Sequence, residues 1–211
     1  MMKINSPTTR LAPLLAACCL CSSVSGCGED GAASDPPLQE PCEELGVKPP
    51  EPLRWRRHEL LLGELSRALE LPHDDLCTEL GSVQCGDIHK VALGGNNPFE
   101  ETMYEPAASP LPVTPTTIDR VVLSACMRRV AADVQGPAVV FDEIDLASAS
   151  VDPSDEQTRS QVVSVFRRIH SRDPEEEEVE LVSTLAVGAT AQEFAVLACF
   201  AVAGTSEMVL I

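Results

Sequence analysis

The segment that most restricts this chain is Phe194 to Ala203, ten consecutive residues that are all apolar. Just before it stand Thr190 and Glu193, three apart, the spacing at which a hydroxyl and a carboxylate cap a helix start reciprocally. A helix apolar on every side must be buried, and ten residues rise only about 15 Å, half the thickness of a bilayer core. The run is therefore expected to be the central helix of a protein core, with other helices packed round it.

Periodicity supplies those helices. Leu61, Leu65, Ala68 and Leu69 recur at helical spacing, with Glu59, Glu64, Arg67 and Glu70 facing away and Pro72 ending the run. A short second helix is expected over Asp74 to Leu80, with Gly81 as its stop. Residues 81–117 lose periodicity and carry prolines at 98, 106, 110, 112 and 115, the pattern of a long loop. Thr114 as cap and Pro115 as first residue open another helix, whose apolar stripe is Leu123, Cys126, Met127, Val130, Ala131 and Val134, with Arg120, Arg128, Arg129 and Asp133 off it. Ala138 to Phe141 suits either a strand fragment or an extended link. Asp152, Pro153 and Ser154 open a helix with the stripe Val162, Val165, Phe166 and Ile169; Asp173 as cap and Pro174 as first residue open the next, with Val179, Val182, Leu185 and Ala186, and Gly188 breaks it. Aromatic residues are 3% of the chain, so Leu, Val and Ala must fill the core. The expected fold class is all-α, an irregular bundle with a buried apolar C-terminal helix and long Pro-rich loops.

The first residues read as an address. Met1 to Arg10 carries Lys3 and Arg10 and no acid, and Leu11 to Val24 is then a largely apolar stretch too short to span a bilayer. Val24, Ser25, Gly26 and Cys27 follow, and this layout resembles the lipobox of bacterial lipoprotein precursors. The resemblance implies removal of residues 1–26, acylation of Cys27 and lasting attachment to a lipid bilayer, since each buried methylene contributes about 0.8 kcal/mol. Cys18, Cys19 and Cys21 leave with the removed segment. In the sorting rule known for some bacteria, Gly28 at the position where aspartate retains a lipoprotein at the inner membrane favours the outer one. Residues 27–52, rich in Pro, Gly and acid, are expected to be a tether, and 53–211 a helical domain with halves at 53–135 and 152–211. A net charge of −18 excludes the counterion-release chemistry of nucleic-acid binding.

Five cysteines follow the lipid attachment site. Cys199, inside the apolar run, is expected to be a buried inert thiol. Cys42, Cys77, Cys85 and Cys126 permit two bridges in three connectivities, of which Cys77 with Cys126 joins two helices and Cys42 with Cys85 fixes the tether. A weaker alternative is a metal site at Cys77, Cys85 and His89, with His73 as a further donor, because zinc takes four nitrogen or sulfur ligands. Covalent haem lacks its C-x-x-C-H, and His170 and Met127 read more simply as a helix-end dipole partner and a core residue. Glu175 to Glu178 fits a solvated, dipole-favoured helix start. No G-x-S-x-G, H-E-x-x-H or phosphate-cradling loop is present, so no catalytic residue is assigned and no cofactor is expected.

From Phe166 through Arg168, Arg172 and Pro174 to Glu178, with Ser206, Glu207 and Met208 at the far end, the chain resembles a three-helix module of predicted secreted bacterial proteins, some of which sit beside cytochrome-like domains. The resemblance implies the fold of this part and no specific activity. The chain is expected to be a non-catalytic envelope interaction or scaffold protein with an unidentified envelope partner. Its contact surface is expected on the segment from Leu93 to Thr117, at Phe99 and Tyr104, unless that segment is only a packed connector. The alternatives are an accessory of an envelope electron-transfer or haem-associated complex, and an envelope enzyme or metal-binding protein without a recognisable motif.

Overall fold

The apolar run forms helix α6 (Ala191–Ala203) in the computed structural model, which describes residues 54–99 and 104–211. Thr190 and Glu193 make the reciprocal cap: Glu193 N donates to Thr190 Oγ1 and Thr190 N donates to Glu193 Oε2, at 3.3 and 2.9 Å. Phe194, Ala195, Ala198, Cys199, Val202 and Ala203 are buried, but Leu197 is 42% exposed. The helix is thus the core helix with one flank at the surface, a narrower burial than its composition predicts. Around it lie α3 (Thr114–Gln135), α4 (Glu156–His170) and α5 (Glu176–Ser183). The architecture is mainly α-helical, and helix α1 (His58–Leu69) closes it by packing on α3 and α4.

Helix α1 buries Leu61, Leu62, Leu65, Ala68 and Leu69, so its stripe is as the spacing predicts. Each fully buried leucine contributes about 2 kcal/mol. The chain leaves α1 through Glu70 in the left-handed region, φ 48°. Its carbonyl accepts from Arg129 at 3.3 Å and its carboxylate pairs with Arg168 at 2.7 Å, which ties the end of α1 to α3 and α4. Upstream, Arg54 and Ile211 exchange backbone hydrogen bonds of 2.7 and 2.6 Å, so the two ends of the described domain are paired. Gly94 is obligatory beside them, since a Cβ there would lie 2.3 Å from the Trp55 ring and φ is +80°.

The expected helix over Asp74 to Leu80 does not form. A 3₁₀ turn at His73–Asp75 leads into a small antiparallel ribbon, β1 (Thr78–Glu79) and β2 (Val83–Gln84), followed by the short helix α2 (Cys85–Ile88). Gly81 is the hairpin turn, at φ +94°, not a helix stop. Thr78 faces Gln84 across the ribbon, so the next pair outward is Cys77 and Cys85. Their Cα atoms are 5.3 Å apart and their sulfurs are bonded. A second cystine, Cys126–Cys199, joins α3 to α6 with Cα atoms 5.8 Å apart. The expected pairings of Cys77 with Cys126 and of Cys42 with Cys85 are therefore incorrect, as is the inert thiol at Cys199. The hairpin register claims Cys77 and Cys85 for each other, and the α3–α6 packing claims the other two. Cys42 lies outside the described residues.

Helix α3 also presents a different face from the expected one. Ile118, Val121, Val122, Ala125, Cys126 and Val130 are buried, whereas Leu123, Met127 and Val134 are 39–55% exposed and Ala131 is exposed. Arg129 and Asp133, expected outside, are inside. Asp133 carries the reason: its fully buried carboxylate accepts from the backbone amides of Val139, Val140 and Phe141 at 2.9–3.1 Å and from Arg129 at 2.5 Å. Gln161 adds a donation to Val140 O at 2.9 Å and accepts from Glu143 N at 3.1 Å. Ala138 to Phe141 is thus an extended link held by side chains, and it seats Val140 and Phe141 in the core. At the start of α3, Thr114 is already helical, with Val113 as the cap residue, and the Thr114 hydroxyl donates to Ala92 O at 2.6 Å. Helix α5 is capped by Glu175, not Asp173, in a capping box with Glu178.

Replacing Asp133 with Ala strands Arg129 and three backbone amides in the interior, and should cost about 3–5 kcal/mol. Thermal or urea denaturation checks this; an undiminished midpoint would contradict the role given to this carboxylate.

Candidate functional site

Turning Met127, Ala131 and Val134 outward opens a concave surface beside α3. Met127, Ala131 and Val134 line an open groove of about 850 Å³ between α3 and α6, which Val187, Val196 and Leu197 line from the other side, and Leu123 lines a neighbouring cleft. Val187 is 73% exposed at its rim. Glu193 is the charged residue of this lining. The Thr190 amide and hydroxyl hold its carboxyl below the usual carboxylate range, so it stays an anion. The groove gathers exposed apolar side chains of α3 and α6 on one concave surface, a shape suited to receiving apolar side chains of a partner. Phe99 and Tyr104, the aromatic residues expected to make contacts, are 96% and 79% exposed, and residues between them lie outside the described set.

A second cleft, about 480 Å³, adjoins the groove and shares Met127 and Ala131 with it. Cys77, Glu79, Arg120 and Arg128 line it. Glu79 Oε1 lies 2.9 Å from Arg120 and 3.1 Å from His89 Nε2. Of the weaker metal alternative the structure therefore brings Cys77 and Cys85 together, with Glu79 as a member that spacing did not reveal, and His89 stands outside that group, in contact with Glu79. His73 does not join them and faces Asp74 at 4.0 Å. With the sulfurs bonded to each other, the corner holds a cystine and no thiolate.

The residues that suggested axial haem ligands lie apart. Met127 sits on the outer face of α3, and His170 Nε2 is within hydrogen-bond distance of Val202 O and Thr205 Oγ1, at 3.1 and 3.2 Å. Burial keeps His170 below its ordinary pKa. The glutamates expected at a solvated helix start are there: Glu175 and Glu178 cap α5, and Glu176 pairs with Arg159. The arginines and acids of the module-like segment meet in one knot. Arg172 grips Glu178 through two bonds of 2.7 Å and Glu207 through two of 2.8 Å, with its guanidinium 5.4 Å from the Phe166 ring centre. Glu207 belongs to α7 (Ser206–Val209), so the knot joins the α4–α5 turn to the last helix. These contacts give the motif a structural role.

The Cys27 position, like Cys42, lies outside the described residues. No helix among those described is long and apolar enough to cross a membrane. Compared with protein-family models, with curated proteins and with solved structures, the chain matches none.

The knot has a pH signature. Hydrogen bonds from Arg172 lower the pKa of Glu178 from 4.5 to about 2 and shift Glu207 in the same direction. A carboxyl depressed by folding contributes stability above its unfolded value, and that contribution drains away as pH falls from about 4.5 towards 2. Arg172→Gln should cost about 1 kcal/mol at neutral pH, the scale of a partly exposed network, and should flatten the acid loss. Melting temperatures between pH 2 and 7 test this; parallel profiles for the two proteins would contradict it.

Proposed function

We propose that this chain is a lipid-anchored protein of the bacterial cell envelope, acylated at Cys27, and that it works without catalysis by docking a partner protein in the groove between α3 and α6. What carries the reading is the apolar row that α3 turns to the groove: Met127, Ala131 and Val134 would be core residues in an ordinary bundle and are exposed here. The occupant that fits is an amphipathic helical segment of another protein, with apolar side chains for the groove and a basic residue for Glu193. Charge favours this partner over a second copy, because two chains of −18 repel each other while a basic flank is attracted. The anchor places the docking surface near the membrane, and outer-membrane attachment follows the residue after Cys27.

Two substitutions address the groove and one the anchor. Met127→Arg and Leu197→Arg alter exposed positions, so melting should change little, while burial of an unpaired charge should weaken partner binding tenfold or more, about 1.4 kcal/mol. Leu181→Arg, at a 70% exposed position that does not line the groove, should bind as wild type does. Support requires that a partner with a basic, amphipathic helix be recovered from solubilised envelopes by wild type and by Leu181→Arg and lost by both groove variants. Recovery indifferent to the groove, or a groove-dependent homodimer on sedimentation, would overturn the assignment. Separately, Cys27→Ala should move the protein from membranes to the soluble fraction; continued membrane association would remove the anchor.

A further inference from the structure

The corner beside β1 has a property that neither the docking groove nor the anchor uses. One ligand atom each from Cys77, Glu79 and Cys85 lies within 4.8 Å of the other two, and His89 Nε2, outside that group, is 3.1 Å from the same glutamate and must swing inward to join it. Two sulfurs, an imidazole and a carboxylate form a donor set suited to a four-coordinate zinc-like ion. We propose that reduction of the Cys77–Cys85 cystine converts this corner into a divalent-metal site of the zinc class, with Cys77, Cys85, Glu79 and His89 as ligands.

The reductant is a dithiol. It breaks the S–S bond, delivers two electrons and two protons to Cys77 and Cys85, and leaves as a disulfide; the metal ion then displaces the two thiol protons. Geometry permits the exchange because the ribbon register holds the cysteines opposite each other whether or not their sulfurs are bonded. Freed sulfurs need to separate only to about 3.7 Å, the tetrahedral edge for metal–sulfur bonds near 2.3 Å. Two thiolates and a carboxylate over a divalent ion leave one excess negative charge, and Arg120, 2.9 Å from Glu79, offsets it.

Access distinguishes this cystine from the other. Cys85 is buried, but Cys77, 5% exposed, lines the open cleft with Glu79 and Arg120, whereas neither Cys126 nor Cys199 has any exposed surface between α3 and α6. Its loop closes over a separation of 8 residues against 73, so its loss also removes a weaker constraint on the unfolded chain. Mild reduction should therefore open Cys77–Cys85 first and leave the helical domain standing.

The test is a cobalt titration of the full chain after native treatment with a phosphine, which takes oxygen from water as it yields two thiols. One Co²⁺ per chain should bind, with a near-ultraviolet thiolate-to-cobalt band and the intense visible bands of a four-coordinate ion, and Zn²⁺ should abolish both. His89→Ala, at a half-buried position, should weaken binding by more than about 100-fold, beyond what loss of an outer-shell partner costs. Cys85→Ser should remove the charge-transfer band, and Cys126→Ser should keep it. A reduced protein that remains helical by circular dichroism yet gives no band overturns the proposal. So does a band indifferent to His89→Ala, or a reduction that unfolds the chain without recovery on adding metal.

Discussion

The fixed distance between α3 and α6 governs most of this structure. Cys126 and Cys199 are fully buried and covalently joined, and the bond sets the rotation of α3 about its own axis. With Cys126 pointing at α6, Val122, Arg129, Val130 and Asp133 fall within about 60° of it on the helix wheel, and all are buried. Ala125 and Val121, about 100° and 140° to one side of it, are buried as well, whereas Leu123, Met127, Ala131 and Val134, about 60° to 140° to the other side, reach the surface. The same rotation places a buried carboxylate where the chain leaves α3 and a row of apolar side chains where a partner can reach them. Core and groove are two consequences of one constraint.

What could be read in advance depended on whether its cause was local. The α6 cap, the α4 stripe Val162, Val165, Phe166 and Ile169, and the inward face of α1 rest on neighbours within a few residues, and all appear as the spacing implies. The face of α3 does not. Its apolar residues spread over more than half the wheel, and the face that the cystine turns to α6 is one that Asp133 can occupy only by bonding to amides 6 to 8 residues downstream. No periodicity rule places an aspartate in a core, because its burial costs energy until those amides and Arg129 are counted. The ribbon at Thr78–Gln84 failed for a different reason: two-residue strands are too short for alternation to register, and Gly81 reads equally as a helix stop. With the ribbon missed, the facing of Cys77 and Cys85 was hidden as well.

The candidate site inherits these limits. Phe99 and Tyr104 were visible as aromatic residues in a proline-rich loop, and both rings are exposed. The groove was legible only as a list of residues assigned to the wrong side of α3. Glu79 entered the cysteine–histidine corner through strand pairing and not through spacing. The knot at Arg172 shows the complementary case: residues that look like a motif because of their fixed order hold three helices together.

The fold rests on one bridge flanking the ribbon and one between α3 and α6. Proteolysis of the unreduced protein, with the linked fragments identified by mass spectrometry, tests it most directly. Fragments joining Cys77 to Cys85 and Cys126 to Cys199 are the predicted result. A fragment joining Cys77 to Cys126, or an alkylatable thiol at Cys199, would contradict it and with it the orientation of α3.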